Sequence, residues 1–250
     1  MPRIGTRKLY HMITETLQKH DISIGRDGLF DLLAEYGLLV RRRKRKRVST
    51  TDSNHPFRKY PNLIRELKVL RPNSLWVSDI TYISLTDSFC YLSLVTDAYS
   101  KKIVGYCLHP TLKKEGPLKA LKMALSSLAA VSGATPIHHS DRGLQYCCSD
   151  YIHLLESRAM PISMTEKGDP YENAIAERVN GILKDEFALD QDFENPQQAT
   201  KTVEIAIAIY NQQRPHASCD YLTPDIAHQQ EGQLKQRWNR RKPKLESILT

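Results

Sequence analysis

The chain has 250 residues and a hydrophobic fraction of 40%, which is enough for one core and a smaller module. The sequence has no bilayer-spanning apolar run and no signal peptide, so we expect an intracellular protein. Five cysteines without a C-x-x-C pair argue against a disulfide framework and a structural zinc site. The net charge of +8 lies in the first 60 residues, where 14 Lys and Arg outnumber 6 Asp and Glu by 8, and this points to a polyanionic partner such as nucleic acid.

Two short helices are predicted at the start, over residues 6–20 and 26–36. The residues predicted to face inward are Leu9, Ile13 and Leu17 in the first helix and Leu29, Leu32 and Leu33 in the second. A tight turn between them, with Arg26 at the start of the second, suits a helix-turn-helix DNA reader. A plain helical hairpin explains the same residues equally well.

A run of seven cations follows: Arg41, Arg42, Arg43, Lys44, Arg45, Lys46 and Arg47. Uninterrupted like charges repel one another, so we expect an extended arm rather than a packed element. The composition changes again near Pro72. These shifts divide the chain into a DNA-binding module with its basic arm, a linker, a catalytic core and a basic tail, over residues 1–48, 49–71, 72–228 and 229–250.

The core has a mixed pattern of strands and helices. Strands are predicted at 75–84, 90–97, 103–108, 136–140 and 161–164, and helices at 117–131, 150–157, 171–187 and 196–212. The first three strands are close together and read as an antiparallel meander. The alternation that follows indicates an α/β fold.

The helix predicted at 171–187 has two distinct faces. Its apolar face holds Ile175, Val179, Ile182 and Leu183. A polar stripe holds Asn173, Glu177, Asn180 and Lys184. The stripe thus combines one carboxylate with amides and a cation on neighbouring turns.

Three acids come from three successive parts of the core. Asp79 lies inside the first strand, Asp141 follows the fourth strand, and Glu177 lies on the next helix. Each acid alone is better explained as a capping or salt-bridged carboxylate. Together they can meet at one edge of a sheet, where three hard oxygen ligands suit Mg²⁺ or Mn²⁺. Two such ions about 4 Å apart would support phosphoryl transfer.

The order and spacing of these acids resemble the DDE signature of transposases and retroviral integrases. Asp79 lies in W-V-S-D-I-T-Y-I and Asp141 in H-S-D-R-G-L-Q-Y, and Glu177 follows after 35 intervening residues. The chain is closer still to OrfB-type transposases of the insertion-sequence-three family, because Y-N-x-x-R-P-H at 210–216 and L-T-P at 222–224 are similar to that family's C-terminal signature. The resemblance covers essentially the whole chain.

The resemblance implies a ribonuclease-H-like mixed sheet flanked by helices, the integrase catalytic core, beside a small helix-turn-helix-like module. It implies cleavage at the 3′ end of an insertion sequence and strand transfer, with Asp79, Asp141 and Glu177 as catalytic residues that ligate two Mg²⁺ or Mn²⁺ ions. Lys184 and Asn173 would hold terminal DNA. The helix of Arg26 would read bases, and the basic arm would add affinity without sequence preference.

The implied partners are terminal inverted repeats, target DNA and further copies of the chain assembled on DNA. An OrfA-type product of an upstream reading frame is a further expected partner or fusion. The expected location is the bacterial cytoplasm, at the nucleoid, without membrane attachment. Two rival hypotheses are a ribonuclease-H-like nuclease that cuts without joining, and a DNA-binding regulator with an inactive core.

Overall fold

The computed structural model describes residues 1–40, 55–128, 135–166 and 173–237. Its elements are α1 Thr6–Lys19, α2 Arg26–Glu35, β1 Leu75–Ser84, β2 Phe89–Asp97, β3 Ile103–His109, α3 Glu115–Leu128, β4 Ile137–Ser140, α4 Leu144–Cys147, α5 Ser149–Glu156, β5 Ile162–Met164, α6 Ala174–Glu186, α7 Pro196–Gln213 and α8 Pro224–Ala227. Each predicted strand is confirmed to within one residue at either end. The short helix α4 is an element that the sequence pattern did not predict.

The five strands form one sheet in the order β3-β2-β1-β4-β5. The first three are an antiparallel meander, as predicted, and β4 and β5 continue the sheet in parallel with β1. Strand β1 therefore lies at the centre and pairs on both sides. This mixed sheet with helices on both faces confirms the predicted α/β class.

Alternating side chains of β1 serve two separate cores. Trp76 and Ile80 pack with residues of α3 and α5 on one face. Ile83 packs with residues of α6 and α7 on the other face, and Val77 packs with Ala176 of α6. Burial of each such side chain contributes about 1.5–3 kcal/mol, so the sheet is held from both sides.

Helix α3 approaches β3 closely at Gly105. A Cβ on this residue would lie 2.1 Å from the carbonyl oxygen of Ala120 and 2.9 Å from the backbone nitrogen of Ala124. Such distances fall well inside van der Waals contact, so only glycine fits there. The helix can therefore lie flat against the edge of the meander.

The residues that precede α1 contact the core at the far end of α6. The Arg3 N–H donates to the Glu186 carbonyl oxygen at 3.1 Å, and Met1 packs against the core between α6 and α7. The prediction that Leu32 faces inward is wrong, since it is 43% exposed. Leu29 is the buried residue of α2, and the two short helices offer no second layer to cover Leu32.

The two N-terminal helices also contact each other. This pairing fits both the helix-turn-helix reading and the plain hairpin, so the DNA-reading role stays a prediction. Among the described helices, none combines the length and the hydropathy that a membrane span requires.

Candidate active site

Asp79 lies in the middle of the central strand. It is two residues after Val77 and therefore on the same face of the sheet, the face that packs against α6. The Ile80 N–H donates to its Oδ1 at 2.8 Å, and the side-chain amide of Asn180 donates to its Oδ2 at 2.8 Å. Burial and then the charge of Asp141 raise the pKa of Asp79 to about 7 in spite of these hydrogen bonds. A cation at this position would favour the ionised carboxylate.

Asp141 follows β4 directly and lies beside Asp79. Strand β4 pairs in parallel with β1, and the last pair, Val77 opposite His139, lies two residues before each acid. The negative charge of Asp141 is also, after burial, the second largest cause of the raised pKa of Asp79, so the two carboxylates are close. The Gly143 N–H donates to Asp141 Oδ1 at 2.9 Å. A Cβ at Gly143 would lie 3.0 Å from that oxygen, so the glycine leaves room for the carboxylate.

Glu177 lies in the first turn of α6, and its side chain is exposed. Its charge also contributes to the raised pKa of Asp79, so the two acids are within electrostatic range. Over residues 1–40, 55–128, 135–166 and 173–237, no group of three His, Cys, Asp or Glu side chains is close enough to hold a metal ion. The structure thus brings Asp79 and Asp141 together and places Glu177 near them.

The donor type and the electrostatics at Asp79 and Asp141 fit a divalent cation. Both are carboxylates, the hard oxygen ligands that Mg²⁺ and Mn²⁺ prefer. The pKa of Asp79 is raised partly because Asp141 is negatively charged, and a bound cation would offset this repulsion. The residues present therefore suit a metal held between these two strands.

Asn180 is a site residue that sequence reasoning did not single out. It is 6% exposed and contacts Asp79 from α6. Its Oδ1 is buried and has no hydrogen-bond partner within the described ranges. Its place in the polar stripe, three residues after Glu177, was the available signal, but the stripe alone does not show which member reaches the acids.

Lys184 is held near the acids by an aromatic ring. Its Nζ lies 3.7 Å from the centroid of the Tyr82 ring, a cation–π contact. Burial lowers the pKa of Lys184 to about 8, although the charges of Asp79, Asp190 and Asp185 act in the opposite direction. The predicted DNA contact is therefore a positioned cation on the same helix as Glu177.

The other predicted DNA contacts have different surroundings. Asn173 is 6% exposed, and its amide donates to the Ser78 carbonyl oxygen at 3.0 Å. Arg26 is exposed on α2, where its Nε and Nη2 donate to Asp27 at 2.7 and 3.0 Å. The cations at 41–47 lie outside the described residues. DNA binding by these residues stays a prediction.

The C-terminal signature residues join α7 to the sheet. The Tyr210 hydroxyl donates to the Lys101 carbonyl oxygen at 2.9 Å. The Asn211 side chain accepts from the Ile103 N–H and donates to the Ile103 carbonyl oxygen, both at 3.0 Å. These contacts replace the strand neighbour that β3 lacks at this edge, so this part of the signature has a structural role.

The chain matches two family models, both described as integrase core domain, over residues 69–170 and 158–224. It is 38% identical over 222 residues to the 31 kDa protein of insertion element IS600 of Shigella sonnei, covering 88% of this chain and 79% of that protein. It is 30% identical over 210 residues to the transposase for insertion sequence element IS629 of Shigella sonnei, covering 84% of this chain and 68% of that protein.

A solved structure shares the fold. The similarity to a chain of the simian T-cell lymphotropic virus intasome in complex with PP2A regulatory subunit B56 gamma has a TM-score of 0.53 at 18% identity, covering 90% of this chain and 75% of that chain. Together with the five-stranded mixed sheet, this likeness confirms the predicted ribonuclease-H-like architecture of the core.

Proposed function

The chain belongs to the insertion-sequence transposases that carry an integrase core domain, and from this premise we propose that Asp79, Asp141 and Glu177 form its catalytic site. The observation that supports the assignment most strongly is that Asp141, at the end of the strand paired in parallel with β1, acts through its charge to raise the pKa of Asp79. Burial next to a second negative charge raises the pKa of a carboxylate, as it does for Asp79. Such an arrangement is costly without a function that uses it.

The reaction has two steps at phosphorus. In the first, water attacks the phosphodiester at the 3′ end of the element, the P–O3′ bond breaks, one proton leaves the water and the released 3′ oxygen takes up a proton. In the second, this 3′-hydroxyl attacks a phosphodiester of target DNA and displaces another 3′ oxygen. Each step forms one P–O bond and breaks one, so no covalent enzyme intermediate is needed.

The chain's own residues position the acids for both steps. Hydrogen bonds from Asn180 and Gly143 hold Asp79 and Asp141. Glu177 completes the set by turning its exposed side chain toward the other two, a rotation between staggered conformers. Two divalent cations, Mg²⁺ or Mn²⁺, would activate the attacking oxygen and neutralise charge on the phosphate oxygens when bound.

DNA is the substrate and the main partner in this proposal, in the form of terminal inverted repeats and target DNA. Lys184 contacts the terminal phosphates, because the Tyr82 ring holds its ammonium group beside the acids. The module at 1–48 binds DNA, and 49–71 joins it to the core at 72–228. Copies of the chain assemble on the two ends, an OrfA-type product joins them, and all act at the nucleoid.

The decisive experiment uses Glu177→Gln with an end-labelled duplex that carries the inverted repeat of the element. We expect cleavage and joining to be lost while DNA affinity stays within about twofold, since neutralising one exposed carboxylate removes little binding energy. Glu204→Gln, an exposed acid on α7, is the matched control and should keep full activity. Parallel loss of binding and cleavage would contradict the assigned role of Glu177.

The unmodified chain gives the second readout in the same assay. Joined products are expected from a transposase. Nicked products that are never joined would indicate a nuclease instead. Cleavage by neither the unmodified chain nor Glu204→Gln would favour the DNA-binding regulator.

A further inference from the structure

Residues 55–66 precede the core and are fixed along its edge strand β5. The Met164 N–H donates to the Pro61 carbonyl oxygen at 3.2 Å. The Leu63 N–H donates to the Ser163 hydroxyl oxygen at 2.9 Å. This part of the predicted linker is therefore a fixed part of the core surface, which we call the edge segment.

The start of the edge segment is tied to the loop that carries Asp141. The His55 Nε2–H donates to the carbonyl oxygen of Arg142 at 2.8 Å, one residue beyond the catalytic acid. The Arg142 Nη1 in turn donates to the Glu166 carbonyl oxygen at 2.8 Å, and the Glu166 carboxylate accepts from Arg65 at 2.7 Å. The segment and the catalytic loop thus share one hydrogen-bond network.

Two cations of the edge segment differ from Arg65 and Arg142 because they are not used in this network. Arg58 and Lys59 are exposed, and neither has an acidic partner within the described ranges. The Arg58 guanidinium lies 5.0 Å from the centroid of the Tyr60 ring, which holds it without neutralising it. Their charge is therefore available to a ligand.

The pKa of the buried Cys147 thiol is influenced both by Asp141 and by a cation of the edge segment. Burial and then the charge of Asp141 raise its pKa to about 11, and Lys59 and Arg142 act to lower it. One side chain thus lies within electrostatic range of the catalytic acid and of Lys59 together.

An exposed aromatic ring lies next to the free cations. Phe57 is 41% exposed, and its ring centroid lies 5.6 Å from that of His55. Cations interleaved with aromatic side chains are typical of nucleic-acid surfaces, because phosphates bind the cations while bases stack on the rings. An acidic protein partner would use the cations and leave Phe57 unexplained.

We propose that the edge segment is a DNA-binding wall of the active site, in which Arg58 and Lys59 bind backbone phosphates and Phe57 contacts a base or sugar. This inference rests on the proposed function, since it takes DNA as the molecule that reaches Asp141. It gives the site cations from two elements, with Lys184 on α6 and Arg58 and Lys59 on the edge segment.

The test compares the full chain with the double variant Arg58→Gln, Lys59→Gln and with Lys119→Gln, Lys122→Gln. The control pair removes two exposed cations from α3, on the opposite face of the sheet from α6. Affinity for a labelled linear duplex is measured over a salt series. Each lost phosphate contact should reduce the slope of log K against log salt by about 0.9, so the edge variant should lose roughly 1–2 from the slope and the control much less.

A second measurement locates the DNA contact independently of the cleavage activity. A photoreactive phenylalanine analogue in place of Phe57 should crosslink to DNA, and the same analogue in place of the exposed Met123 of α3 should not. Equal salt slopes for the two double variants, or no crosslink at 57, would overturn the proposal. A chain that crosslinks at 57 but never cleaves would instead overturn the catalytic function and leave the DNA surface standing.

Discussion

Arg214 and Glu186 form an ion pair inside the protein, where the Arg214 side chain is 1% exposed. The guanidinium donates two hydrogen bonds to the carboxylate, at 2.7 and 2.8 Å, and Lys8 donates a third at 2.8 Å. Burial by itself would raise the pKa of Glu186, but its hydrogen bonds and attraction to Arg214 and Lys8 hold that pKa below its usual value. The pair anchors the end of the helix that carries Glu177.

Arg214→Met should therefore destabilise the fold by about 3–5 kcal/mol, because it leaves a buried carboxylate with a single cationic partner. Arg237→Met is the matched control, since Arg237 pairs with Asp220 at the surface, and its cost should stay below about 1 kcal/mol. Chemical denaturation monitored by circular dichroism measures both. Equal losses of stability in the two variants would show that the buried pair stabilises the fold no more than the surface pair does.

Asn180→Leu should separate activity from stability. The substitution removes the hydrogen bond to Asp79 and also removes a buried carbonyl oxygen that has no partner among the described residues. Loss of a hydrogen bond to a charged group corresponds to about 1.5–3 kcal/mol, or roughly a 10- to 100-fold fall in the cleavage rate. The melting temperature should be unchanged or higher. A normal cleavage rate would show that Asn180 does not position Asp79.

Gly143→Ala should impair catalysis with little unfolding. The new methyl group would lie 3.0 Å from Asp141 Oδ1 and 3.2 Å from Gln145 Oε1, so the carboxylate must shift. Misplacement of a reacting group by a fraction of an ångström up to 1 Å costs up to about 100-fold in rate. Gly25→Ala is the control, since nothing lies within 4 Å of a Cβ there. Cleavage rates and melting curves of the two variants test this prediction, and equal cleavage rates would contradict it.

DNA affinity should depend on pH through Lys184, whose pKa is about 8. The ammonium form predominates below that value, so phosphate attraction is present at neutral pH and weakens as the pH rises through 8. One unit above the pKa the loss can reach about tenfold. Lys184→Arg should remove this dependence, because a guanidinium stays charged. Fluorescence anisotropy at constant ionic strength tests this, and parallel pH profiles for both proteins would contradict it.

The sequence was sufficient for the strands of the sheet, and the assignment of the acids stays a prediction. Segments rich in β-forming residues and separated by polar turns marked the strands, and the resemblance to DDE enzymes singled out Asp79, Asp141 and Glu177. Helix α4 was missed because four residues are too few to show a helical period. Local sequence patterns predict the longer strands, whereas a four-residue helix depends on its tertiary contacts.

Asn180 and the edge segment show where the sequence was not sufficient. A polar residue at the margin of an apolar stripe can face water or a buried partner, and only the register of α6 over β1 decides which applies to Asn180. The residues at 55–66 have no strong period and resemble a linker. Their order comes from β5, whose own backbone groups and Ser163 supply the partners.

The parallel pairing of β1 with β4 has a consequence for how the enzyme is made. Asp79 and Asp141 are 62 positions apart in the chain, and the meander and α3 must be completed before their strands can meet. Pairings of such long sequence separation form slowly. If the proposed site is correct, a nascent chain on the ribosome carries Asp79 well before that site can form, and we expect DNA cleavage only after α6 has been synthesised and docked.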